Sequence, residues 1–547
     1  MRSSVLIPRV TLPHRGATAM RISRSLRAVL LIGLLCPILP ACDTDLTEVP
    51  ADFVAPENFY RNSQDALAAL NAAYAAFSNF PSEGYTDNDY FGRHFWMLVE
   101  YPTEYMTLRL SATNERTMPD VYTVLPDHLY INSVWRAAYH AINRANAVID
   151  NVPGIDMDAA LRDRIVAEAR FLRALHYFNL VRLFGRVPLH LSETKGLADA
   201  RQEQATVAEG YQAIIADLTA AAGVLPPKST YTAGNIGRAS RGAAKALLAK
   251  VYLQYAVLGG GGQAAYQQAQ TWARQVITDG GYSLMPNYRD VFTNETNGEV
   301  IFDVQNTRVP GLGGYMCDQL VPRGTRFPYC DSQNPSFQAE WPFFYSYDPA
   351  DKRKAATWLL TWTSTSGTVA NWDSTQTAVN AYGANGPTPL KFLDTQVGAQ
   401  DGAEDPNFIL LRYADVLLIL AEAINEVSGP NAEAYGLVDQ VRTRAGLGPL
   451  TPGLSKNAFK DALFLERRFE FVMELQGHFD SQRHWPWAKA RIEGNSSAAS
   501  AAFWNRSGTR NSSVPKLVLT LTDKNLYYPI PQAALDANLA LSQNTGY

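Results

Sequence analysis

Residues 158–185 read DAALRDRIVAEARFLRALHYFNLVRLFG, and this stretch decides the fold class. Its spacing predicts one long helix over 158–184, closed by Gly185 and Pro188. Working upstream, Ala66, Leu67, Leu70, Ala73, Tyr74 and Phe77 recur on one face. So do Ile131, Val134, Trp135, Ala138, Tyr139, Ile142, Ala145, Val148 and Ile149. Downstream, Thr206 and Glu209 form a capping box ahead of Ile214, Ile215 and Leu218. Ala244, Leu247, Leu248, Val251, Tyr252 and Tyr255 predict the next helix. The glycine run 259–262 breaks it, and a further helix is expected over 263–279.

The texture changes over about 281–405, where Gly, Pro, Asn, Thr and Trp become frequent. Residues 300–304 read as a short strand, and the rest as loops with short helices or strands. Helices resume with Leu410, Ala414, Leu417, Leu418, Ala421 and Ile424, then Leu437, Val438, Val441 and Ala445. A last long helix is expected over 457–475. The expectation is a mainly α, tetratricopeptide-like scaffold of helical pairs bearing a loop-rich aromatic insertion with short strands. The scaffold spans about 61–280 and 406–490, the insertion 281–405, and a C-terminal segment 491–547 packs on the scaffold.

The 547 residues are 46% hydrophobic, 11% aromatic and 18% charged, with 37 Gly and 31 Pro. These values exclude collagen-like, disordered and coiled-coil chains. The first 41 residues hold six arginines and no acid; without them the formal net charge goes from −4 to −10. An acidic chain argues against a nucleic-acid partner, which needs a basic surface.

Residues 1–41 read as a signal peptide, with 1–19 a candidate upstream mis-start before Met20. Arg21, Arg24 and Arg27 precede the apolar run 28–39, too short to span a bilayer. The run ends in Leu39-Pro40-Ala41-Cys42, which resembles a bacterial lipobox with Cys42 as the lipid-bearing residue. Residues 42–60 then form a lipid-anchored tether, acidic at Asp43, Asp45 and Glu48. Cys36 leaves with the signal, so Cys317 and Cys330 remain as a candidate disulfide in an oxidising compartment.

His-Glu-x-x-His, Gly-x-Ser-x-Gly, the phosphate loop and Gly-x-Gly-x-x-Gly are all missing from the sequence. No metal set and no cofactor follows. Asp87 and Asp89 are close enough to suggest calcium, without a full ligand pattern. Asp348 and Asp351 read as a helix cap and a solvated charged turn rather than a glycosidase pair. No catalytic residue is assigned, and the chain is not expected to be an enzyme.

Aromatic residues on loops carry the candidate site. Tyr85, Tyr90, Phe91, Phe95, Trp96 and Tyr101 form one cluster, and Trp341, Phe343, Phe344, Tyr345 and Tyr347 a second. Trp358, Trp362, Trp372 and Tyr382 form a third. Sugar rings present C–H faces that pack on aromatic planes, and their hydroxyls need directional partners. The candidate ligand residues are Tyr90, Trp96, Trp341, Tyr345, Trp362 and Trp372, with Asp89, Asn371 and Asp373 as polar partners. The competing reading makes these rings satellite cores under long loops.

The order of motifs resembles the SusD/RagB family of outer-membrane nutrient-binding lipoproteins. The resemblance rests on WRAAY at 135–139, INRAN at 142–146, EARFLRAL at 168–175 and LFG at 183–185. GAAKALLA follows at 242–249, LRYADVLL at 411–418, AEA at 421–423, RAGL at 444–447 and ERR at 466–468. PIPQ at 529–532 and QNTGY at 543–547 close the series. Glu422, Arg170, Arg173, Arg412 and Arg467 are expected to make structural ion pairs rather than to act on a ligand. The resemblance implies a surface-exposed, lipid-anchored outer-membrane protein. It would bind a glycan or oligosaccharide and deliver it, as a lid, to a TonB-dependent SusC-like barrel. An oligopeptide-binding member of the same family and a purely structural helical-repeat adaptor are the alternatives.

Overall fold

Several of the long helices start on a side chain that satisfies otherwise orphaned N–H groups. Asn62 Oδ1 accepts from Gln64 and Asp65 at the head of α1, Ser63–Tyr74. Asp158 accepts the Leu161 N–H at 2.8 Å, opening α4, Ala159–Phe184. Thr206 and Glu209 form the expected capping box of α5, Val207–Val224. Gly185 ends α4 at φ 73°, returning its N–H to Val181.

The computed structural model describes residues 59–77, 90–108, 114–294, 297–309, 312–326, 335–367, 369–371, 386–395, 403–496 and 518–547. The other long helices are α2 His94–Glu100, α3 Leu129–Asn151, α6 Arg241–Leu258 and α7 Gly262–Asp279. After the insertion come α8 Tyr413–Ser428, α9 Ala432–Arg444, α10 Lys456–Phe471, α11 Gly477–Arg483 and α12 Trp485–Ser496. Packing runs in series: α3 on α4, α4 on α5, α5 on α6, α6 on α7, then α7 on α8 and α8 on α9. This is the helical-pair scaffold expected from periodicity, and Phe59–Tyr547 holds together as one compact unit.

Helix α4 is its axis, buried along most of its length from Ile165 to Phe184. Its charged side chains are compensated there. Glu168 accepts from Tyr74 Oη at 2.8 Å and pairs with Arg238 at 3.2 Å. Arg173 forks onto both oxygens of Asp217 at 2.7 Å. Arg182 lies 3.6 Å from the Phe479 ring centroid and 3.8 Å from that of Phe178.

Among the described residues, three two-stranded antiparallel ladders serve the insertion. Strand β1, Met106–Thr107, pairs with β3, Gln338–Ala339. Strand β2, Val300–Val304, is the expected strand and pairs with β6, Phe408–Arg412. Strand β4, Thr361–Thr363, pairs with β5, Val369–Asn371. Leu410 therefore belongs to a strand rather than to the helix expected around it; ladder pairing with β2 overrides the helical spacing.

Helix α10 ends at Phe471, short of the expected 475. Val472 is extended, and Met473 and Leu475 take φ of 60° and 55°. Their N–H groups donate to Glu100 at 3.2 and 2.7 Å, so a buried carboxylate holds the chain in an unusual conformation. Gly477 is required beside this turn: a Cβ there would stand 2.2 Å from Tyr105 Oη, which is itself bonded to Glu100.

The structural ion pairs read from the sequence are present. Glu422 pairs with Arg483 at 2.9 Å, Arg170 with Asp217 at 3.9 Å and Arg467 with Asp480 at 2.8 Å. The expectation for Asp351 is corrected. It is buried, 2.7 Å from the fully buried Arg353, because that guanidinium also reaches Glu466 at 2.6 Å on α10. Asp348 caps its own turn, accepting the Ala350 N–H at 2.8 Å. Cys317 is buried and disulfide-bonded, while Cys330 lies outside the described residues.

Candidate functional site

The aromatic clusters separate by depth. Tyr90 is buried; its hydroxyl meets His176 Nδ1 at 3.1 Å and accepts from Asn179 at 3.0 Å. Trp96 is buried, donating Nε1–H to the Phe91 carbonyl at 2.7 Å, with Phe392 and Phe408 against its ring. Trp362 is 3% exposed in β4, opposite Ala370. The rings of Tyr90, Trp96 and Trp362 therefore belong to the hydrophobic core, where neighbouring side chains occupy the faces a ligand would need.

Trp341 and Tyr345 are placed differently. They sit one turn apart on the short helix Trp341–Tyr345, their rings stacked at 5.4 Å and 19°. Trp341 is 8% exposed and Tyr345 is 39% exposed, so the stack runs from the core out to solvent. Phe344 buttresses Trp341 edge-on at 5.7 Å, and Lys354 Nζ lies 4.2 Å from the Phe344 ring centroid. The helix is fixed from its N-terminal side by Glu340 N–H donating to the Tyr105 carbonyl at 2.9 Å, and Ala339 N–H donates to Pro387 at 2.8 Å. Gly386 packs against the Ala339 carbonyl, 3.0 Å from where a Cβ would stand, with the Trp341 indole in ordinary contact at 3.7 Å.

Asn371 ends β5, partly buried, opposite Thr361. Trp372, Asp373, Asp87, Asp89 and Cys42 lie outside the described residues. Among the sequence candidates, the described structure gives one ring stack that reaches solvent, through the exposed Tyr345 resting on the buried Trp341.

A second concavity was missed from the sequence. A groove of about 490 Å³ runs between α3, residues 188–200 and the segment 533–541. Trp135, Tyr139 and Ile142 give it an aromatic and aliphatic wall, and Asn132, Arg136, His140, Asn143 and His190 give polar groups. The signal was legible: positions 132, 135, 136, 139, 140 and 143 form one continuous stripe of a helix. That stripe carries rings and amides where a solvated face would carry Lys and Glu. His190 is packed edge-on to Tyr139 at 5.7 Å, and burial lowers its pKa against a hydrogen bond to the Asp199 backbone.

Among the described residues, no group of three or more His, Cys, Asp and Glu is arranged to hold a metal ion. Also among the described residues, no helix is long and apolar enough to cross a membrane.

The described chain is a serial helical-pair scaffold with a loop-rich insertion, whose Trp341–Tyr345 ring stack reaches solvent through Tyr345. Comparison gives its family. The SusD family profile matches residues 262–547, and a second profile, described as starch-binding associating with outer membrane, matches 90–253. The chain belongs to the SusD family. A SusD-like protein of Formosa agariphila is 28% identical over 466 residues, covering 80% of this chain and 87% of the relative. A solved SusD homologue from Bacteroides thetaiotaomicron superposes with a TM-score of 0.77 at 23% identity, covering 90% of this chain and 98% of that one. A laminarin-binding SusD-like protein gives a TM-score of 0.68 at 25% identity, covering 89% and 100%.

Proposed function

We propose that this protein is a surface lipoprotein that binds a polymeric glycan at the outer membrane and hands it to a TonB-dependent barrel. The observation that carries the reading is the family match across both halves of the chain, one profile being described as starch-binding and outer-membrane associated. The name of the laminarin-binding relative supports a carbohydrate ligand. The Trp341–Tyr345 stack supplies the chemistry: a sugar's C–H face on the ring, its hydroxyls on the phenol and neighbouring polar groups. Binding and delivery need no covalent step. The protein holds the glycan while the barrel encloses it, so it acts as a lid.

The test is a glycan-array screen of the chain from Asp43 onward, with a peptide library beside it. Binding to one glycan class is expected. Tyr345→Ala should weaken it about tenfold, the scale of an aromatic anchor at a recognition site. Trp341→Ala should weaken it at least as much. Peptide binding without glycan binding would replace the sugar by an oligopeptide. Silence on both, alone and with the co-purified barrel, would reduce the protein to an adaptor.

A further inference from the structure

A small cavity lies in the core where α4, α6, β6 and the turn 474–476 meet. It shares no lining residue with the Trp341–Tyr345 stack or with the groove beside α3. Its volume is about 30 Å³, roughly twice the least that holds a water. Arg182, Lys250 and Gln476 line it, each more than nine-tenths buried, and leucines complete the wall.

All three polar side chains have hydrogen-bonding capacity left over. Arg182 donates Nε–H to the Phe178 carbonyl at 3.2 Å and Nη2–H to Asn179 at 2.6 Å; among the described residues nothing accepts from Nη1. Lys250 Nζ donates to Asp415 at 3.0 Å and to no other described residue, which leaves two N–H groups. The Gln476 side-chain amide makes no hydrogen bond among the described residues, and its oxygen is sealed from solvent. Charge is also out of balance. Lys250, Arg467 and Arg483 are matched by Asp415, Asp480 and Glu422, all buried, at 2.8–3.0 Å. Glu474 lines the cavity too, but Lys391 holds it at 2.7 Å and Arg412 at 2.6 Å. Arg182 has no carboxylate within 4 Å among the described residues; ring faces and neutral oxygens surround it instead. Burial lowers its pKa, and burial together with the charge of Arg182 lowers that of Lys250 against the pull of Asp415. A water in the cavity would satisfy the spare donors and leave the excess charge; a monatomic anion answers both.

We propose that this cavity is a structural halide site, in which a chloride ion neutralises Arg182. The ion is held by Arg182, by the two spare N–H groups of Lys250 and by the Gln476 amide turned to present its nitrogen. At this volume a carboxylate- or phosphate-bearing molecule does not fit. The site stands apart from glycan binding and serves the core around α4.

The probes are chloride and bromide. Crystals of the chain from Asp43 onward, grown in sodium bromide, are measured at the bromine absorption edge. An anomalous peak in contact with Arg182 and Lys250 is expected. Thermal unfolding is followed in sodium chloride and in sodium isethionate at equal ionic strength. Tm should rise saturably with chloride, by about 2–3 °C once chloride is in roughly hundredfold excess over its dissociation constant. Isethionate, whose sulfonate is too large for the cavity, should give no such rise. Gln476→Glu puts a carboxylate beside Arg182 in the anion's stead, so this variant should show no bromine peak and the same Tm in both salts. The two wild-type measurements decide the matter if the variant fails to fold. Density in the cavity without a bromine signal, equal wild-type Tm in the two salts, or a halide response kept by Gln476→Glu would each overturn the proposal.

Discussion

Glu100 shows what one side chain does to the backbone around it. It is fully buried, and its carboxylate accepts from Tyr105 Oη at 2.7 Å and from the N–H groups of Met473 and Leu475. Burial pushes its pKa up from 4.5 to about 7, against the pull of those three donors and of Lys391. Glu100→Ala leaves three buried donors without their acceptor, and a loss of about 3–5 kcal/mol is expected from urea denaturation. The titration has a definite sign. A carboxyl whose folded pKa is raised contributes stability that is complete below about pH 4.5 and is lost as pH rises through about 7. Glu100→Gln cannot ionise, so its deficit relative to wild type should shrink between pH 5 and pH 8. A constant deficit would mean that Glu100 keeps one charge state throughout. None of this was legible in the sequence, where Glu100 is an unremarked residue more than 370 positions from the turn it fixes.

At the scale of elements, the insertion is tied to the scaffold by charge as much as by apolar packing. Glu470 on α10 receives Arg353 at 3.1 Å from the insertion, Arg412 at 2.6 Å from the end of β6, and Arg444 from α9. Lys391, also from the insertion, reaches Glu474 at 2.7 Å. Burial alone would raise the Glu470 pKa, but the guanidiniums of Arg444, Arg412 and Arg353 overcome it and hold the carboxyl far below its ordinary range. Arg353→Met removes one partner and leaves Glu466 and Glu470 under-compensated in the interior. A loss of about 3–5 kcal/mol is expected, with faster amide exchange in Arg353–Thr357. Unchanged stability would mean that the remaining arginines suffice. Here the linkage has the opposite sign to that of Glu100. A depressed carboxylate stabilises above its unfolded pKa of about 4.5 and loses that contribution as pH falls, so Glu470→Gln should flatten the acid limb of the stability curve. Of these arginines, Arg412 was recognisable as structural from its motif, whereas Arg353 read as part of a solvated charged turn. Their convergence was not legible, because residues 353, 412, 444 and 470 meet only in the folded chain.

The whole molecule separates what periodicity can reveal from what it cannot. Helical pairs were readable because each one buries a stripe against its neighbour in the series, a local pattern with a local consequence. Which loop aromatics reach solvent was not. Trp96 and Trp341 are both loop aromatics in sequence, yet Trp96 is sealed by Phe392 and Phe408, some 300 residues away, while Trp341 leads out to Tyr345. Membrane attachment is proposed from the sequence that precedes this folded unit. Phe59–Tyr547 follows the lipobox-like Leu39-Pro40-Ala41-Cys42. We propose acyl chains on Cys42 as the anchor, each buried methylene contributing about 0.8 kcal/mol. Wild-type protein should incorporate radiolabelled palmitate and sediment with outer membranes. Cys42→Ser should lose the label and move to the soluble fraction, with circular dichroism and glycan affinity unchanged, because the residues that hold the fold and the ring stack all follow Phe59. The comparison belongs in a strain lacking the barrel, so that a protein partner cannot retain the variant. Label kept by Cys42→Ser, or continued sedimentation in that strain, would place the attachment elsewhere in the chain.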